Sequence, residues 1–282
     1  MVSHEKREFK MIKYKILREI NGKILSPYKG FEYKIGKEYV CENFDDNPKN
    51  DCSRGFYATD IKGLLYRNLS RRDEHVYEAE VSGRSVNAGF AKTRYEKQTI
   101  IRKMHIEEIK ALCLMENYDF DVYHALFPVN PCDIEFGKIT DADILNLKKW
   151  DSVRDSVEDS VRTSVRDSVE DSVKTSVEDS IRDSVRASIK DSIKDSVWGS
   201  VRTSVWASVW AYISSLFPNI KKWNYIEHKE GENPFQSGID LWHRGLIPFF
   251  DGNYWRLYSA KDRKIVFTIS KKELEIFSGG EL

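Results

Sequence analysis

A four-residue repeat constrains the fold of this chain more than any other feature of its sequence. Residues 151–210 consist of fifteen tetrapeptides, each with Ser in the second place and Val or Ile in the third. The first and fourth places vary. Duplication of a short unit would not by itself keep two places constant while the other two diverge, so we infer selection on the Ser-Val pair.

A period of four residues fits poorly to a long α-helix. Each repeat turns about 400° around the helix axis, so a stripe of valines drifts by about 40° per repeat and forms no fixed apolar face. Ser, Val, Asp and Thr are also mediocre helix formers. These properties favour a β-solenoid, in which the valines point inward and coils of four tetrapeptides stack on one another.

The charges in the fourth place of the repeat agree with a four-sided coil. Residues sixteen apart would be neighbours on stacked coils, and most charged pairs at this spacing are opposite in sign. A long α-helix is the alternative, because 140–143 has an N-cap pattern and Pro218 would suit a helix end. We therefore predict a central solenoid over 151–217, with a continuous helix over 140–217 as the alternative.

Composition divides the chain into five parts, with mixed α+β sequence on both sides of the repeats. They are a flexible N-terminus (1–12), an α+β domain (13–132), a connection (133–150), the repeat region (151–217) and a small Trp-rich α+β domain (218–282). Local patterns predict a hairpin of 14–20 with 23–26 and another of 254–259 with 265–269. The repeat region thus joins two small folded domains.

Helix signals also lie in both flanking domains. Amphipathic patterns predict helices at 60–69, 107–116 and 238–244. Ser270 and Glu273 form a capping-box pattern, which predicts a last short helix. Strands and helices that are segregated in this way are typical of α+β domains.

Composition excludes several functional classes. The 45 basic and 45 acidic residues cancel, so no overall positive charge attracts nucleic acid or an anionic membrane. No segment has the pattern of a leader or a membrane span. Four scattered cysteines form no disulfide framework, and the six histidines do not fall at metal-ligand spacing. We expect a cytoplasmic protein of the host cell without metal or cofactor, with a protein as its partner.

Three groups of residues are candidates for binding. The charge in the fourth place of the repeat is replaced by Trp near its end, at Trp198, Trp206 and Trp210. These rings would either dock the C-terminal domain or form a platform for a ligand or a membrane interface. The pair Arg71 and Arg72, and the cluster of Lys92, Arg94 and Lys97, could bind phosphate. Acidic neighbours favour a solvated surface instead, and the repeat region could also mediate oligomerisation.

Two long stretches resemble sequences of mobile genetic elements. Residues 21–69, which include NGKILSPYKGFEYKIGKEYV, look like a domain of phage and prophage proteins that has no assigned activity. Residues 238–259, GIDLWHRGLIPFFDGNYWRLYS, look like a segment that accompanies SV-rich repeats in similar proteins. The resemblance implies a phage or prophage origin and carries no catalytic residues.

A second resemblance suggests chemistry. A strand with Arg18, the segment CSRGFYAT, a helix with Tyr66 and a later strand follow the order of the small ADP-ribosyltransferase fold. This resemblance implies NAD as substrate, with Arg18 holding the dinucleotide and an aromatic ring on nicotinamide. The candidate catalytic residues are Arg18, Tyr57, Tyr66, Glu78 and Glu80. The chain departs from that family in two ways. Arg18 is followed by Glu19 rather than by the glycine of a His-Gly or Arg-Gly pair, and no motif identifies a catalytic Glu.

The sequence therefore predicts a binding function before a catalytic one. No complete catalytic motif is present, and the strongest pattern is a repeat that sets a distance or presents a surface. We predict a non-enzymatic interaction protein encoded by a phage or prophage, with the repeat as a spacer or binding surface. The alternative is an effector that resembles ADP-ribosyltransferases and uses NAD.

Overall fold

The protein folds into two compact units, which are Met1–Tyr118 and Asp119–Leu282. The structure, a computed structural model, describes residues 9–50, 52–67, 73–88, 92–115, 120–165, 177 and 198–279. Each unit combines an antiparallel sheet with helices. The α+β character predicted for the flanking domains is therefore confirmed.

The first unit is built on a seven-stranded sheet in its described part. Its strands are β1 (Met11–Ile20), β2 (Lys23–Leu25), β3 (Glu32–Tyr33), β4 (Glu38–Val40), β5 (Phe56–Ala58), β6 (Glu74–Asn87) and β7 (Thr93–Lys103). The strand order is β3-β2-β1-β6-β7-β4, and β5 also pairs with β7. A 3-10 helix (Lys62–Arg67) follows β5, and α1 (Ile106–Met115) follows β7.

The turn between β1 and β2 follows from two residues. Asn21 and Gly22 both have positive φ, at 51° and 75°. Asn and Gly adopt this backbone conformation most readily, and it suits the tight turn of a two-residue hairpin. The predicted hairpin is confirmed, since Arg18 pairs with Leu25 and Ile20 with Lys23.

The sheet of the first unit curls back on itself at β1. Directly after β5, Thr59 exchanges two backbone hydrogen bonds with Tyr14, with N to O distances of 2.8 and 2.9 Å. From Arg18 onwards, the partner on this side of β1 is β2 instead. Because β5 pairs with β7 as well, the sheet forms a partial barrel that is open between β2 and β5.

A small core fills this curled sheet. Leu17, Tyr77, Ala79 and Ile100 come from the three long strands and are almost completely buried, together with Tyr33 of β3. Burial of such apolar side chains contributes about 1.5–3 kcal/mol each relative to exposure. The core therefore fixes the long strands and, through Tyr33, the edge of the opening.

The second unit combines helices with a three-stranded sheet. Its helices in the described residues are α2 (Val122–Leu126), α3 (Asp141–Val153), α4 (Val157–Ser164), α5 (Trp198–Ser215), α6 (Gln236–His243) and α7 (Lys271–Ile276). Short 3-10 helices cover Pro131–Asp133 and Arg154–Ser156. The strands are β8 (Leu246–Phe250), β9 (Tyr254–Ser259) and β10 (Lys264–Ser270), in the order β10-β9-β8. Helix α5 packs against α4, α6 and β8.

Several local predictions for this unit are confirmed. A capping box of Thr140 and Asp143 begins α3, and a second one of Ser270 and Glu273 begins α7. The β9–β10 hairpin is antiparallel, with Ile269 opposite Trp255. These patterns are short and local, so the residues that carry them also determine their structure.

Buried tryptophans form much of the core of the second unit. Trp150, Trp210, Trp223, Trp242 and Trp255 are its largest fully buried side chains. Helix α6 lies directly against α3, because a Cβ atom at Gly238 would lie 2.6 Å from the Trp150 ring. A glycine is therefore required at this contact. Trp242 donates its indole N–H to the Val129 carbonyl at 2.8 Å.

The predicted β-solenoid is wrong for the part of the repeat region that the structure describes. Val157–Ser164 and Trp198–Ser215 are α-helices. The continuous helix is interrupted as well, because Val165 is extended, with φ −100° and ψ 113°. Residues 166–176 and 178–197 lie outside the described residues.

The drift of the valine stripe explains why a short helix is compatible with the repeat. Helix α4 is eight residues long, so the stripe turns by only about 40° across its two repeats. Val157 and Val161 are therefore buried on one side, where α4 packs against α5. Tertiary packing of this kind stabilises helices whose intrinsic propensity is weak.

Replacing Val161 by Asp should strongly destabilise the second unit, because Val161 is fully buried. An unpaired carboxylate at this place is expected to lower the free energy of unfolding by about 3 kcal/mol or more. The half-buried Val153 is the matched control, and Val153→Asp should have a clearly smaller effect. Denaturant unfolding followed by Trp fluorescence measures this unit alone, since all seven Trp lie at or after position 150. Equal effects of the two substitutions would contradict the packing of α4.

Candidate functional site

The opening of the sheet in the first unit forms a cleft of about 860 Å³. Its walls come from β1, β5, the turn after β2 and the loop before β5. Ligand pockets in proteins commonly have volumes of about 300–1,000 Å³. The cleft is therefore large enough for a small organic ligand.

The lining of the cleft has a distinctive composition, with six aromatic rings and four lysines. The rings belong to Tyr14, Tyr28, Phe31, Tyr33, Phe56 and Tyr57, and the ammonium groups to Lys15, Lys29, Lys49 and Lys92. None of the lining residues that the structure describes is acidic. In a chain with no net charge, the cleft thus concentrates positive charge beside aromatic surface.

Two of the lysines are held by the walls of the cleft. The Lys15 ammonium group donates a hydrogen bond to the Tyr57 carbonyl at 2.6 Å and lies 5.2 Å from the centre of the Tyr33 ring. The Lys92 ammonium group lies 5.3 Å from the centre of the Tyr57 ring and 3.6 Å from the Cys52 sulfur. These contacts fix both ammonium groups in the lining of the cleft, beside its aromatic rings.

The other two lysines lie on turns around the cleft. Lys29 has a positive φ of 65° in the turn between β2 and β3, and Lys49 belongs to the loop before β5. Within the described part of the chain, neither side chain forms an ion pair. Their charges can therefore be neutralised by an anion that enters the cleft.

The aromatic rings of the cleft combine packing with exposure, and Phe31 shows both. The Phe31 ring meets Tyr33 and Tyr39 edge to face, with centroid distances of 4.9 and 5.4 Å. Burial raises the pKa of the Tyr33 phenol. In contrast, Tyr28 is 63% exposed and Phe31 44% exposed, so part of each ring remains open to a ligand.

A buried arginine fixes the loop before β5. Arg94 is fully buried, and its guanidinium donates hydrogen bonds to the carbonyls of Asn50 at 2.7 Å and Asn47 at 2.8 Å. It also donates to the Tyr57 hydroxyl at 3.0 Å. These acceptors are all neutral. The loop depends on glycine as well, because Gly55 has φ +143° and a Cβ there would lie 2.5 Å from Cγ of Arg94.

A carboxylate organises the exposed side of the same loop. Asp45 accepts hydrogen bonds from the Ser53 hydroxyl, from the Asn50 amide at 2.9 Å and from the Asn47 backbone N–H at 2.9 Å. These hydrogen bonds hold the pKa of Asp45 well below its usual range. Asp45 and Arg94 thus stabilise one wall of the cleft from two sides.

Among the candidate catalytic residues whose side chains the structure describes, Tyr57 alone lines the cleft. Tyr57 lies in β5 with its ring in the wall. Arg18 forms an ion pair with Asp73 at 2.6 Å. Glu78 and Glu80 pair with Arg102 at 2.8 Å and with Lys10 at 2.6 Å. The side chain of Tyr66 lies outside the described residues.

Of the candidate binding residues, Lys92 lines the cleft, whereas the arginine pair and the tryptophans of the repeat do not contribute to its described lining. Arg71 and Arg72 are outside the described residues. Trp198, Trp206 and Trp210 belong to α5 in the second unit, where Trp210 is 2% exposed, Trp206 is half-buried and the Trp198 side chain is not described. Trp210 therefore packs in the core of that unit.

The second unit contains a smaller pocket of about 430 Å³. His124 lies there with its Nδ1 2.6 Å from a carboxylate oxygen of Asp121. His243, Tyr212 and Ser215 complete the polar part of the described lining. The Asp121 carboxylate also caps α2 by accepting a hydrogen bond from the His124 backbone N–H, which gives this pair a structural role.

Sequence patterns pointed to Lys92 and Arg94 but missed the cleft as a whole. Lys15, Lys29 and Lys49 belong to no common motif, and they meet only because β1, β2 and β5 surround one opening. The nearest sequence signal is that aromatic residues and lysines alternate in 27–34, PYKGFEYK. That pattern alone also fits an exposed strand.

Function has to be inferred from this geometry. No protein-family model, curated protein or solved structure matches the chain. Among the described residues, no group of three or more His, Cys, Asp or Glu side chains is placed to hold a metal ion. The shape and lining of the cleft are the observations that bear on function.

Replacing Arg94 by Met should loosen the wall of the cleft. The substitution removes the donors for the Asn47 and Asn50 carbonyls and for the Tyr57 hydroxyl, and each unsatisfied group costs about 1–3 kcal/mol. Amide hydrogen exchange in 44–56 should therefore become at least about tenfold faster. Arg102→Met, which removes an exposed ion-paired arginine, is the control. Unchanged exchange in 44–56 would show that Arg94 does not hold the loop.

The Asp45→Asn substitution should destabilise the first unit more at neutral pH than in acid. The pKa of Asp45 is lowered in the folded state, so the carboxylate contributes stability above its unfolded pKa and loses it as pH falls through the folded value. The difference in unfolding free energy between wild type and variant should therefore be largest above pH 4 and shrink toward pH 3. Urea titrations at several pH values, followed by Tyr circular dichroism, measure this difference. A pH-independent difference would contradict the assigned role.

Proposed function

We propose that this chain is a non-enzymatic binding protein that holds an anionic organic ligand in the cleft of its first unit. The main support is the lining, which combines four lysines and six aromatic rings with no acidic residue among the described positions. An ordinary solvated surface would intersperse both signs of charge. Such a lining favours a ligand that carries negative charge and apolar or planar surface.

The preorganised wall supports binding as the role of the cleft. Hydrogen bonds to Arg94 and Asp45 hold the loop in place before any ligand arrives. A site that is already ordered avoids the entropic cost of ordering on binding. The concave shape also fits a small ligand better than the flat surface of a protein partner.

Other features of the proposal come from the sequence. The phage or prophage origin, the cytoplasmic location and the role of the repeats as a spacer or binding surface stay predictions. A protein partner could still bind through the repeat region. No helix in the described ranges is both long and apolar enough to cross a membrane.

ADP-ribosyl transfer from NAD has less support in the geometry. Of the residues that the resemblance implies, Tyr57 is the only one with a described side chain in the lining of the cleft. Arg18, Glu78 and Glu80 form ion pairs with neighbouring side chains. A transfer reaction would first have to separate these pairs, so we rank binding above transfer.

Binding of pyranine, a pyrene dye with three sulfonates, tests the proposal. The full-length chain should raise the fluorescence anisotropy of the dye, because the lysines neutralise sulfonates while the rings contact pyrene. The double variant Lys29→Glu/Lys49→Glu should weaken binding at least about tenfold, since it replaces attraction by repulsion.

The variant Lys221→Glu/Lys222→Glu is the matched control for this experiment. It changes the net charge by the same amount but alters exposed lysines of the second unit. We expect its affinity for pyranine to stay within about twofold of wild type. Equal loss in both variants would indicate attraction by overall charge, and no binding by wild type would contradict the proposed function.

A further inference from the structure

We infer that the ligand of the cleft is a nucleoside phosphate. This inference rests on the proposed function and adds the chemical class of the ligand. Such a ligand has two parts, a compact anionic group and a planar aromatic base, and the cleft offers a separate set of residues for each part. Inorganic anions or apolar compounds would use only one of the two sets.

The lysines supply the site for the phosphate. Lys29 and Lys49 come from two different segments that both line the cleft. Lysine binds phosphate as a point charge, and several ammonium groups around one opening reinforce one another. Because no described lining residue is acidic, a phosphate meets no like charge there.

The exposed rings supply the site for the base. Tyr28 and Phe31 lie on the turn that also carries Lys29, and they remain 63% and 44% exposed. Stacking of a base on such rings stabilises binding and tolerates different bases. A base on these rings would therefore place its phosphate near Lys29.

The packing behind Phe31 makes this surface rigid. Its ring is held edge to face by Tyr33 at 4.9 Å and Tyr39 at 5.4 Å. Lys15 and Lys37 lie over the rings of Tyr33 and Tyr39, at 5.2 and 5.1 Å from their centres. A ring that is fixed before binding loses little conformational freedom when a base stacks on it.

Cys52 provides a probe of the cleft without any added label. It is exposed and lines the cleft, with Lys92 beside it. Alkylation of Cys52 in the full-length chain, followed by mass spectrometry of its peptide, should therefore slow down when a ligand fills the cleft. Cys132 belongs to the second unit and serves as an internal control.

The test compares ligands that share parts of the proposed structure. Adenosine monophosphate should slow Cys52 alkylation in a saturable way, and calorimetry should give a matching dissociation constant. Adenosine, ribose 5-phosphate and inorganic phosphate each lack one part, so each should bind at least about tenfold more weakly. Comparison with the monophosphates of guanosine, cytidine and uridine shows whether the site prefers one base over the others.

Two variants separate the contributions of charge and ring. Lys29→Gln/Lys49→Gln and Tyr28→Ala alter exposed side chains, so both should fold. Each variant should weaken the binding of adenosine monophosphate at least about tenfold and leave the rate of Cys132 alkylation unchanged. Lys221→Gln/Lys222→Gln should have no effect.

A short oligonucleotide distinguishes binding of a free nucleotide from binding of the end of a nucleic-acid strand. We expect adenosine monophosphate to bind at least as tightly as the oligonucleotide.

The outcomes distinguish this inference from the function on which it rests. Ribose 5-phosphate that protects as well as the nucleotide would overturn the inference, because the rings would then play no part. Lysine-dependent binding of pyranine without any binding of nucleotides would also overturn it but leave the cleft as an anion site. Calorimetric binding without protection of Cys52 would place the nucleotide elsewhere and overturn the inference too.

Discussion

The buried guanidinium of Arg94 is the interaction on which the cleft depends. It satisfies the carbonyls of Asn47 and Asn50 from inside the loop and leaves Asp45 to organise the outside. A buried charge without a carboxylate in hydrogen-bond contact is costly. Arg94 instead forms its hydrogen bonds with the neutral oxygens of Asn47, Asn50 and Tyr57, so its burial is linked to the position of the loop. The positive charge of the lining itself comes from the lysines.

The two units use aromatic residues in different ways. In the second unit, large rings such as Trp150 and Trp242 are fully buried and form the core. In the first unit, Tyr28 and Phe31 stay exposed on a turn although the same unit buries Tyr77 completely. Exposed apolar surface that is contiguous and flanked by charge is typical of binding sites. This contrast supports a ligand that covers the exposed rings.

Local features of the fold could be predicted from sequence, whereas the cleft could not. The Asn21-Gly22 turn and the Ser270 capping box depend on neighbouring residues only. The solenoid prediction is wrong for the described repeats because the packing of α4 and α5 against each other stabilises helices of weak intrinsic propensity. The cleft requires the long-range pairing of Tyr14 with Thr59, which no local pattern contains.

The central claim is that one cleft recognises both charge and a planar ring. Nuclear magnetic resonance of the full-length chain with labelled Tyr and Phe rings tests it most directly, during titration with adenosine monophosphate. The account predicts that the signals of Tyr28 and Phe31 shift together with one dissociation constant, while the buried rings of Tyr212 and Tyr258 in the second unit do not shift. Shifts confined to the second unit, or no shift of Tyr28 and Phe31 at saturation, would contradict it.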